Sequence, residues 1–500
     1  MGTTLLLGLD IGTGSTKCVV ADTRGHIVHV ATRSHGTSMP RPGWFEADAE
    51  NLWWAETVSL CADAVAAVGA DNVAGVCVSG LGPALVLTDD QLRPVRPAIF
   101  YGIDTRAEGQ IAELNERIGE DEILRVCGKL LSTQALGPKL LWVRQNEPEV
   151  WAKARHWFGT NAFIAAKLTG AVALDRHTAS QCDPMYDLRK QDWSRWAAEI
   201  AGHLALPHLV WPTDEVGRVM ADASTLTGLR QGTPVVAGTV DAWAEGFSAG
   251  VRSPGDLMLM YGSTLFFVQV LSDVRTHPML WTTAGIEPGS ITAAAGMSTA
   301  GSLLNWVQEI TGHASFDKLV AEAARVPPGS DGLVMLPYLA GERTPVFDAQ
   351  ARGVLAGISL QHTRGHLFRA AYEGIAFGIR QIVDLFEVLE APERIVAVGG
   401  GTQGGLWTQI VSDVTGREQL VPAQTIGASY GDALMAAIGT GHVPPDTNWA
   451  TDFEVVSPDP GRRARYDQLY DLYRDLYPAT TPVVHELAAM QIADADLLDL

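Results

Sequence analysis

Two aspartates carry the first chemical signal in this chain. Asp10 interrupts the apolar run that begins Leu5-Leu6-Leu7, just ahead of the turn Gly12-Thr13-Gly14-Ser15, and a second apolar run, Cys18-Val19-Val20-Ala21, follows. The pattern is strand, tight turn, strand: a hairpin whose tip offers backbone N–H groups and hydroxyls. Small residues let such donors close on an anion such as phosphate. A carboxylate repels phosphate, so Asp10 makes chemical sense there only with a metal ion that accompanies the phosphates. Asp241 follows the strand Val235-Val236-Ala237 and Gly238, and begins a helix predicted over 242–249. One reading is an ordinary helix N-cap, a position that favours Asp. The other is a general base that accepts a proton from a substrate hydroxyl attacking a γ-phosphate.

Two motifs point to other chemistry. "GGGTQG" at 399–404 satisfies GxGxxG, follows the strand 394–398 and opens a helix at Leu406, the setting of an NAD-dependent oxidoreductase. Such a site wants an acid closing the next strand, about 20 residues on. That strand, "EQLVPA", ends in Ala423-Gln424 and has Glu418 at its start. The same glycines would also serve helix packing, or let an adenine lie flat on the backbone. "GASYG" at 427–431 satisfies GxSxG, with Ser429 as nucleophile and His442 and His485 beyond it. Pro422 breaks the strand that would feed this elbow, so packing is the expectation.

Lesser candidates have structural readings. Trp44, Phe45, Trp53 and Trp54 suit half-buried packing as well as stacking on a sugar, and Arg343, Arg352, Arg364 and Arg369 suit surface or structural pairing. His26 and His29 fall on opposite faces of a strand and make poor metal ligands. No P-loop is present, since Gly128-Lys129 is followed by leucine.

The elements that must position these residues repeat. "LMLMYGSTLFFVQVLSD" at 257–273 echoes "LLLGLDIGTGSTKCVVAD", which predicts two α/β domains of related topology, the second starting near residue 250. Strands are expected at "AGVCVSG", "ALVLTD", "ITAAAG", "GLVMLPYL" and "RIVAVGGG", and helices over 49–68, 105–118, 364–389 and 405–416. Five hundred residues exceed a single core. A net charge of -21 argues against nucleic-acid or anionic-membrane partners. The cysteines Cys18, Cys61, Cys77, Cys127 and Cys182 are scattered without a CxxC pair, which suits a reduced compartment. With no run of 18 or more apolar residues, a cytoplasmic protein without a membrane partner is expected.

The segments "LGLDIGTGSTK", "PGWFEADAENLWW", "PKLLWVRQNEPEVW", "VVAGTVDAWAEG", "MYGSTLFF", "LPYLAGERTPVFDAQARGVLAGISLQHTRGHLFRAAYEGIAFGI" and "VAVGGGTQGGLWTQIVSDVTG" resemble, in this order, the FGGY carbohydrate kinase family. They run from residue 5 to about 440, and the resemblance is greatest to the xylulokinase branch. It implies an α/β fold of two actin-like (ribonuclease H-like) domains around a central catalytic cleft. Residues 1–248 would hold the first phosphate loop, the sugar side and the catalytic Asp. Residues 249–445 would hold the second phosphate loop and the adenosine pocket, and 446–500 would be an extension packing on that domain.

The resemblance also implies ATP and Mg²⁺. Asp241 matches the catalytic base, and Asp10, with Asp241, the acids on the magnesium side. Gly12, Thr13, Gly14, Ser15 and Lys17 match the first ATP loop, Gly262, Ser263 and Thr264 the second, and Gly400, Gly401 and Gln403 the adenosine side. Substrate contacts fall to Leu81, Gly82, Pro83, Asp104 and Asp241, with Arg106 in the Asp104 segment. The sugar side departs from the family pattern. Gly82-Pro83 stands where xylulokinases usually have Met-His, and Ala242 stands where an Asn commonly follows the base. The second loop, usually Gly-Thr, reads Gly262-Ser263, and the Arg-Glu pair of glycerol kinases is missing near Gly82. The expected activity is ATP-dependent phosphorylation of a hydroxyl on a ketose such as D-xylulose, with another pentulose, a polyol or an aldonate as alternatives. Expected partners are the small-molecule sugar and ATP; a homodimer is left open. An actin-like ATPase would need no sugar, and a silent sugar sensor would lack Asp241.

Overall fold

The computed structural model describes residues 4–424 and 427–498, in two compact units. The first comprises Met1–Arg252, Val270–Thr292 and Ile426–Thr451; the second comprises Ser253–Gln269, Ala293–Thr425 and Asp452–Leu500.

The sheet of the first unit contains β1 (Leu5–Ile11), β2 (Ser15–Asp22), β3 (Ile27–Ser34), β4 (Val73–Gly80), β5 (Glu215–Arg218) and β6 (Pro234–Val236), in the order β5-β6-β4-β1-β2-β3. β1 pairs antiparallel with β2 and parallel with β4, and β4 pairs parallel with β6. β1 is buried throughout except at Asp10. Such a run suits a parallel strand covered on both faces, and it leaves Asp10 as the one polar side chain on the strand.

One cover is the helix Ala428–Gly439. It sits so close to β1 that a Cβ on Gly8 would stand 2.0 Å from the Ser429 carbonyl oxygen. By contacts, 426–451 and 270–292 group with the first unit, so the compact units are not the contiguous spans expected from the sequence. The nucleophile-elbow pattern is resolved by the same packing. Ser429 is fully buried inside the first turn of that helix. A Cβ on Gly431 would lie 2.1 Å from the carbonyl oxygen of Ala244, so the pattern's last glycine is a close-packing position.

The second unit repeats the plan. In its seven-stranded sheet, β7 (Asp256–Tyr261), β8 (Leu265–Leu271), β9 (Ile291–Met297), β10 (Arg394–Val398), β11 (Gln419–Pro422) and β12 (Phe453–Val456) run in the order β12-β11-β10-β7-β8-β9, and a seventh strand, Trp281–Ala284, pairs with β9 at the edge. Again the first strand forms a hairpin with the second and lies parallel to a later strand, here β10. The echo of the two hairpins therefore extends to the order of six strands, and the second sheet adds a seventh at its edge.

The helix Arg463–Leu498 sets Tyr466, Tyr470 and Tyr473 against Phe377 of the helix Arg364–Leu389, with ring centroids 6.2, 6.2 and 5.3 Å apart. Beneath them Arg369 and Glu373 form a buried ion pair at 2.8 Å that also holds the Tyr466 hydroxyl, and Arg364 pairs with Glu322 at 2.6 Å. These arginines are structural, as their sequence setting suggests. Trp53 and Trp54 are buried packing residues.

All five cysteines are buried and free, and burial pushes each thiol well above its ordinary range. No described helix is long and apolar enough to cross a membrane.

Candidate active site

Three parallel strands of the first unit end side by side, and each carries a candidate residue at or just past its carboxyl end. In open α/β sheets that edge is where ligands bind. β1 delivers Asp10, β4 delivers Leu81-Gly82-Pro83, and the segment after β6 delivers Asp241. Backbone hydrogen bonds lash the three exits together: Leu81 N–H donates to Ile11 O at 2.8 Å, and Gly80 N–H to Thr239 O at 3.1 Å. Gly238 makes the last exit possible. Its φ is +65°, and a Cβ would stand 1.8 Å from the Val78 carbonyl oxygen, so only glycine fits.

The helix that follows runs Asp241–Ser248, one residue earlier than predicted. The N-cap position belongs to Val240, with φ −71° and ψ 139° and a side chain that cannot accept a hydrogen bond. Asp241 is the first helical residue, and its Oδ1 accepts only from the adjacent Ala242 N–H at 2.7 Å. The capping explanation for this aspartate is thereby removed.

Asp241 does not stand alone. Burial, and then the charge of Asp10, raise its carboxyl to about 8. Asp10 itself is raised to about 6 by burial, against the opposing pull of Lys17, its cross-strand partner on β2. Glu245 lies one helical turn beyond Asp241, on the same face. Burial and the Asp10 charge push it to about 7. Lys17 thus offsets two of the three carboxyls, Asp10 and Glu245, while Asp241 is raised further by both of them. Oδ1 of Asp10 is buried without a hydrogen-bond partner, a position that a carboxylate tolerates only if a cation or solvent completes it.

The hairpin tip is held from behind. His35 sets one ring nitrogen 3.1 Å from Gly12 O and the other 2.9 Å from Glu56, and its backbone N–H donates to Gly14 O. Thr13 and Gly14 are exposed at the tip, with Gly12, Ser15 and Lys17 partly so. Gly82 and Pro83 are buried, and the Leu81 carbonyl is fixed by the Thr160 hydroxyl at 2.8 Å.

Asp104 is 1% exposed, and both its oxygens are occupied. Arg106 grips them at 2.8–3.0 Å, and Phe45 N–H donates at 2.7 Å. Arg106 in turn lies over the Trp44 ring, 4.3 Å from its centroid. As folded, Asp104 offers no spare oxygen and is an anchor for its own segment.

In the second unit, Gly262, Ser263 and Thr264 form the tip between β7 and β8. Gly262 N–H donates to Thr264 O at 3.1 Å, and the start of the helix Gly301–Ile310 binds the Gly262 and Ser263 carbonyls. Ser263 and Thr264 remain exposed. The glycine loop after β10 packs through Gly399 and Gly401, whose added Cβ atoms would meet Tyr261 O and the Trp407 ring, each at 2.6 Å. Gly400 faces open space. Beside it lies a cavity of about 710 Å³ lined by Gln403, Gly404, Thr408, Pro422, Asp452 and Phe453 among others. The β10–helix–β11 crossover is parallel, as a dinucleotide site would have it, but β11 closes on Pro422 and no acid follows directly.

Sequence reasoning did not single out Glu245, His35 or the cavity residue Asp452. Only Glu245 carried a local signal, its spacing of four from Asp241.

Models of the FGGY family of carbohydrate kinases match this chain over residues 5–247 for the N-terminal domain and 257–440 for the C-terminal domain. The solved structure of xylulose kinase from Rhodospirillum rubrum superposes with a TM-score of 0.89 at 33% identity, covering 96% of this chain and 100% of that one. The xylulose kinase of Lactococcus lactis is 29% identical, over 97% of this chain and 98% of its own. The gluconokinase of Bacillus subtilis is 26% identical, over 95% and 94%.

Proposed function

The chain belongs to the FGGY family of carbohydrate kinases, and from that premise we propose that it transfers the γ-phosphate of ATP to a hydroxyl of a ketose, D-xylulose foremost, with Asp241 as the base. The enzyme class follows from the family. The ketose is supported by the full-length similarity to xylulose kinases, and the similarity to a gluconokinase keeps an aldonate as the second substrate class.

The observation that carries the assignment is Asp241 itself, a carboxylate with no capping role and a raised proton affinity in a site shared with Asp10. The substrate hydroxyl gives its proton to Asp241 as its oxygen attacks the γ-phosphorus. An O–P bond forms, the bond to the bridging oxygen of ADP breaks, and ADP departs with that electron pair. Most of the remaining task is positioning and neutralising charge. In this reading Gly12–Ser15 and Lys17 take phosphate oxygens, Gly262–Thr264 do the same in the second unit, and Gly400, Gly401 and Gln403 seat the adenosine beside the 710 Å³ cavity. Leu81, Gly82 and Pro83 read the sugar through backbone and shape. Asp104, held by Arg106 and Phe45, fixes its own segment.

Magnesium fits the residues present. The donors are hard carboxylate oxygens, and the buried Oδ1 of Asp10 has no protein partner. Among the described residues no set of three or more His, Cys, Asp or Glu side chains is arranged as a metal cage. That suits an ion which takes one or two carboxylates from protein and the rest from phosphate and water. Asp10 and Asp241 would hold it, and it would supply charge neutralisation to the phosphates. A neutralised Asp10 no longer raises Asp241, which is then able to accept a proton near neutral pH.

The test is a coupled ADP-release screen over pentuloses, hexuloses, polyols and aldonates. A ketose, with D-xylulose leading, is expected to give the highest kcat/KM. ADP release that no polyhydroxylated compound stimulates would replace the kinase with a plain ATPase.

A further inference from the structure

Asp432 has no part in the mechanism above, yet it lies fully buried beneath it. It is 0% exposed, on the helix Ala428–Gly439, at the place where the missing side chain of Gly8 lets that helix settle onto β1. A Cβ on Gly8 would come within 2.8 Å of the Asp432 Cβ. Gly8 and Asp10 are two residues apart on β1, so they face the same side of the sheet, as do their register partners on β4, Cys77 and Ser79. Asp432 reaches into this square. Its Oδ2 lies 2.6 Å from Ser79 Oγ, and its Oδ1 lies 3.8 Å from Cys77 Sγ. Ser79 in turn stands directly across from Asp10 in the strand register, on the same face of the sheet.

One hydroxyl therefore stands between two acids, bonded to Asp432 and set across from Asp10. Among the described residues Asp432 is paired with no cation, and its side-chain partners are an O–H and an S–H. A buried carboxylate so placed would be an uncompensated charge, and the stable form is the neutral acid. The direction of its proton affinity, raised well above the ordinary value by burial, agrees. A neutral carboxyl has an O–H to donate, whereas a carboxylate only accepts. With Asp432 donating to Ser79 Oγ, the Ser79 hydrogen is released from Asp432 and turns to Asp10.

We propose that Asp432 is a positioning residue for Asp10: its carboxylic O–H donates to Ser79 Oγ, which fixes the Ser79 hydroxyl as a donor to Asp10 and leaves Asp10 Oδ1 facing the metal and phosphate side. The inference rests on the reading of Asp10 as the magnesium-organising acid.

Four variants separate the possibilities: Asp432→Asn, Asp432→Ala, Ser79→Ala and Asp10→Asn. The amide introduced by Asp432→Asn can still donate to Ser79 with nearly the same shape; the methyl of Asp432→Ala cannot. Each variant is checked by thermal melt. Mn²⁺ binding to the enzyme–ADP complex is then followed by the electron paramagnetic resonance of free Mn²⁺, and steady-state ADP release is measured with the best sugar found. Folded Asp432→Ala and Ser79→Ala should bind Mn²⁺ several-fold more weakly and lose about tenfold or more in kcat, with sugar KM unchanged. Asp432→Asn should stay within about threefold of wild type in both. Folded alanine variants with wild-type Mn²⁺ affinity, while Asp10→Asn has lost it, would overturn the relay but keep Asp10. Asp10→Asn with wild-type Mn²⁺ affinity would overturn both. If Asp432→Ala fails to fold, Ser79→Ala decides, because it removes a single hydroxyl. Asp432→Asn as impaired as an alanine variant would show that charge, not the donated hydrogen bond, is what Asp432 supplies, and would sink the proposal.

Discussion

Gly82 lies flat against Val240, the residue immediately before Asp241. A Cβ on Gly82 would stand 2.7 Å from Val240 Cγ2. The loop on the proposed sugar side is thus packed against the support of the proposed base, and the two cannot vary independently. Gly82→Ala should displace Val240 and carry Asp241 with it. A shift approaching 1 Å costs up to about 10²-fold in rate, so the expected result is a large fall in kcat with a modest loss in melting temperature. Unchanged kinetics would mean that the loop relaxes without moving Asp241.

Asp241→Asn is the direct test of the base. Because Val240 holds the cap, the substitution has no capping cost to confuse it. General-base assistance is worth about 10²–10⁴-fold, and turnover should fall by at least that order while ATP affinity stays near normal. A steady-state ADP assay that finds normal turnover removes Asp241 from the mechanism.

The same variant should show a pH-dependent gain in stability. Asp241 has an ordinary value of 3.8 when unfolded and about 8 when folded. Below about pH 4 the group is neutral in both states. Between those values the folded chain keeps a proton that the unfolded chain has lost, so stability falls as pH rises through the window and the penalty is complete above about 8. Asp241→Asn should therefore melt above wild type at pH 8, with the gap closing toward pH 4. A gap that widens on acidification would contradict the assignment.

Glu245→Gln should act on Asp241 from a distance. Glu245 is one of the charges that raise Asp241, after burial and Asp10. Removing it makes Asp241 easier to ionise, so the acid limb of the kcat–pH profile should move to lower pH. A limb that stays in place would mean that the two groups are too well screened to couple.

Ligand binding provides a further check. ATP with Mg²⁺ should raise the melting temperature and NAD⁺ should leave it unchanged, because a ligand stabilises only the state it binds. Stabilisation by NAD⁺ alone would return the glycine loop at 399–404 to the dinucleotide reading.

Much of this was legible in the sequence because the informative residues are local. Asp10 before a Gly-Thr-Gly turn, the hairpin repeated at Gly262, and Asp241 at a strand-to-helix junction each show within a dozen residues. What the sequence did not show depends on contacts across hundreds of residues. The pairing of Ser79 with Asp432 spans 353 positions, and nothing near Asp432 marks it as more than a polar residue in a small-residue helix. The grouping of the chain into compact units depends on such contacts as well. Residues 426–451 return to the first unit because Gly8 accepts their helix, and a missing side chain in β1 leaves no mark at position 428. Asp104 illustrates the converse: a motif position that looks chemically available, but whose oxygens Arg106 and Phe45 consume.

The burial of the cysteines has a use of its own. All five lie in the first unit, at positions 18, 61, 77, 127 and 182, and none is accessible in the folded chain. A thiol-reactive dye is therefore blind to the second unit and to the intact first one, and its rate of incorporation counts openings of the first unit alone. Pulse labelling with and without sugar would turn that silence into a clock for one half of the molecule, with no engineered probe.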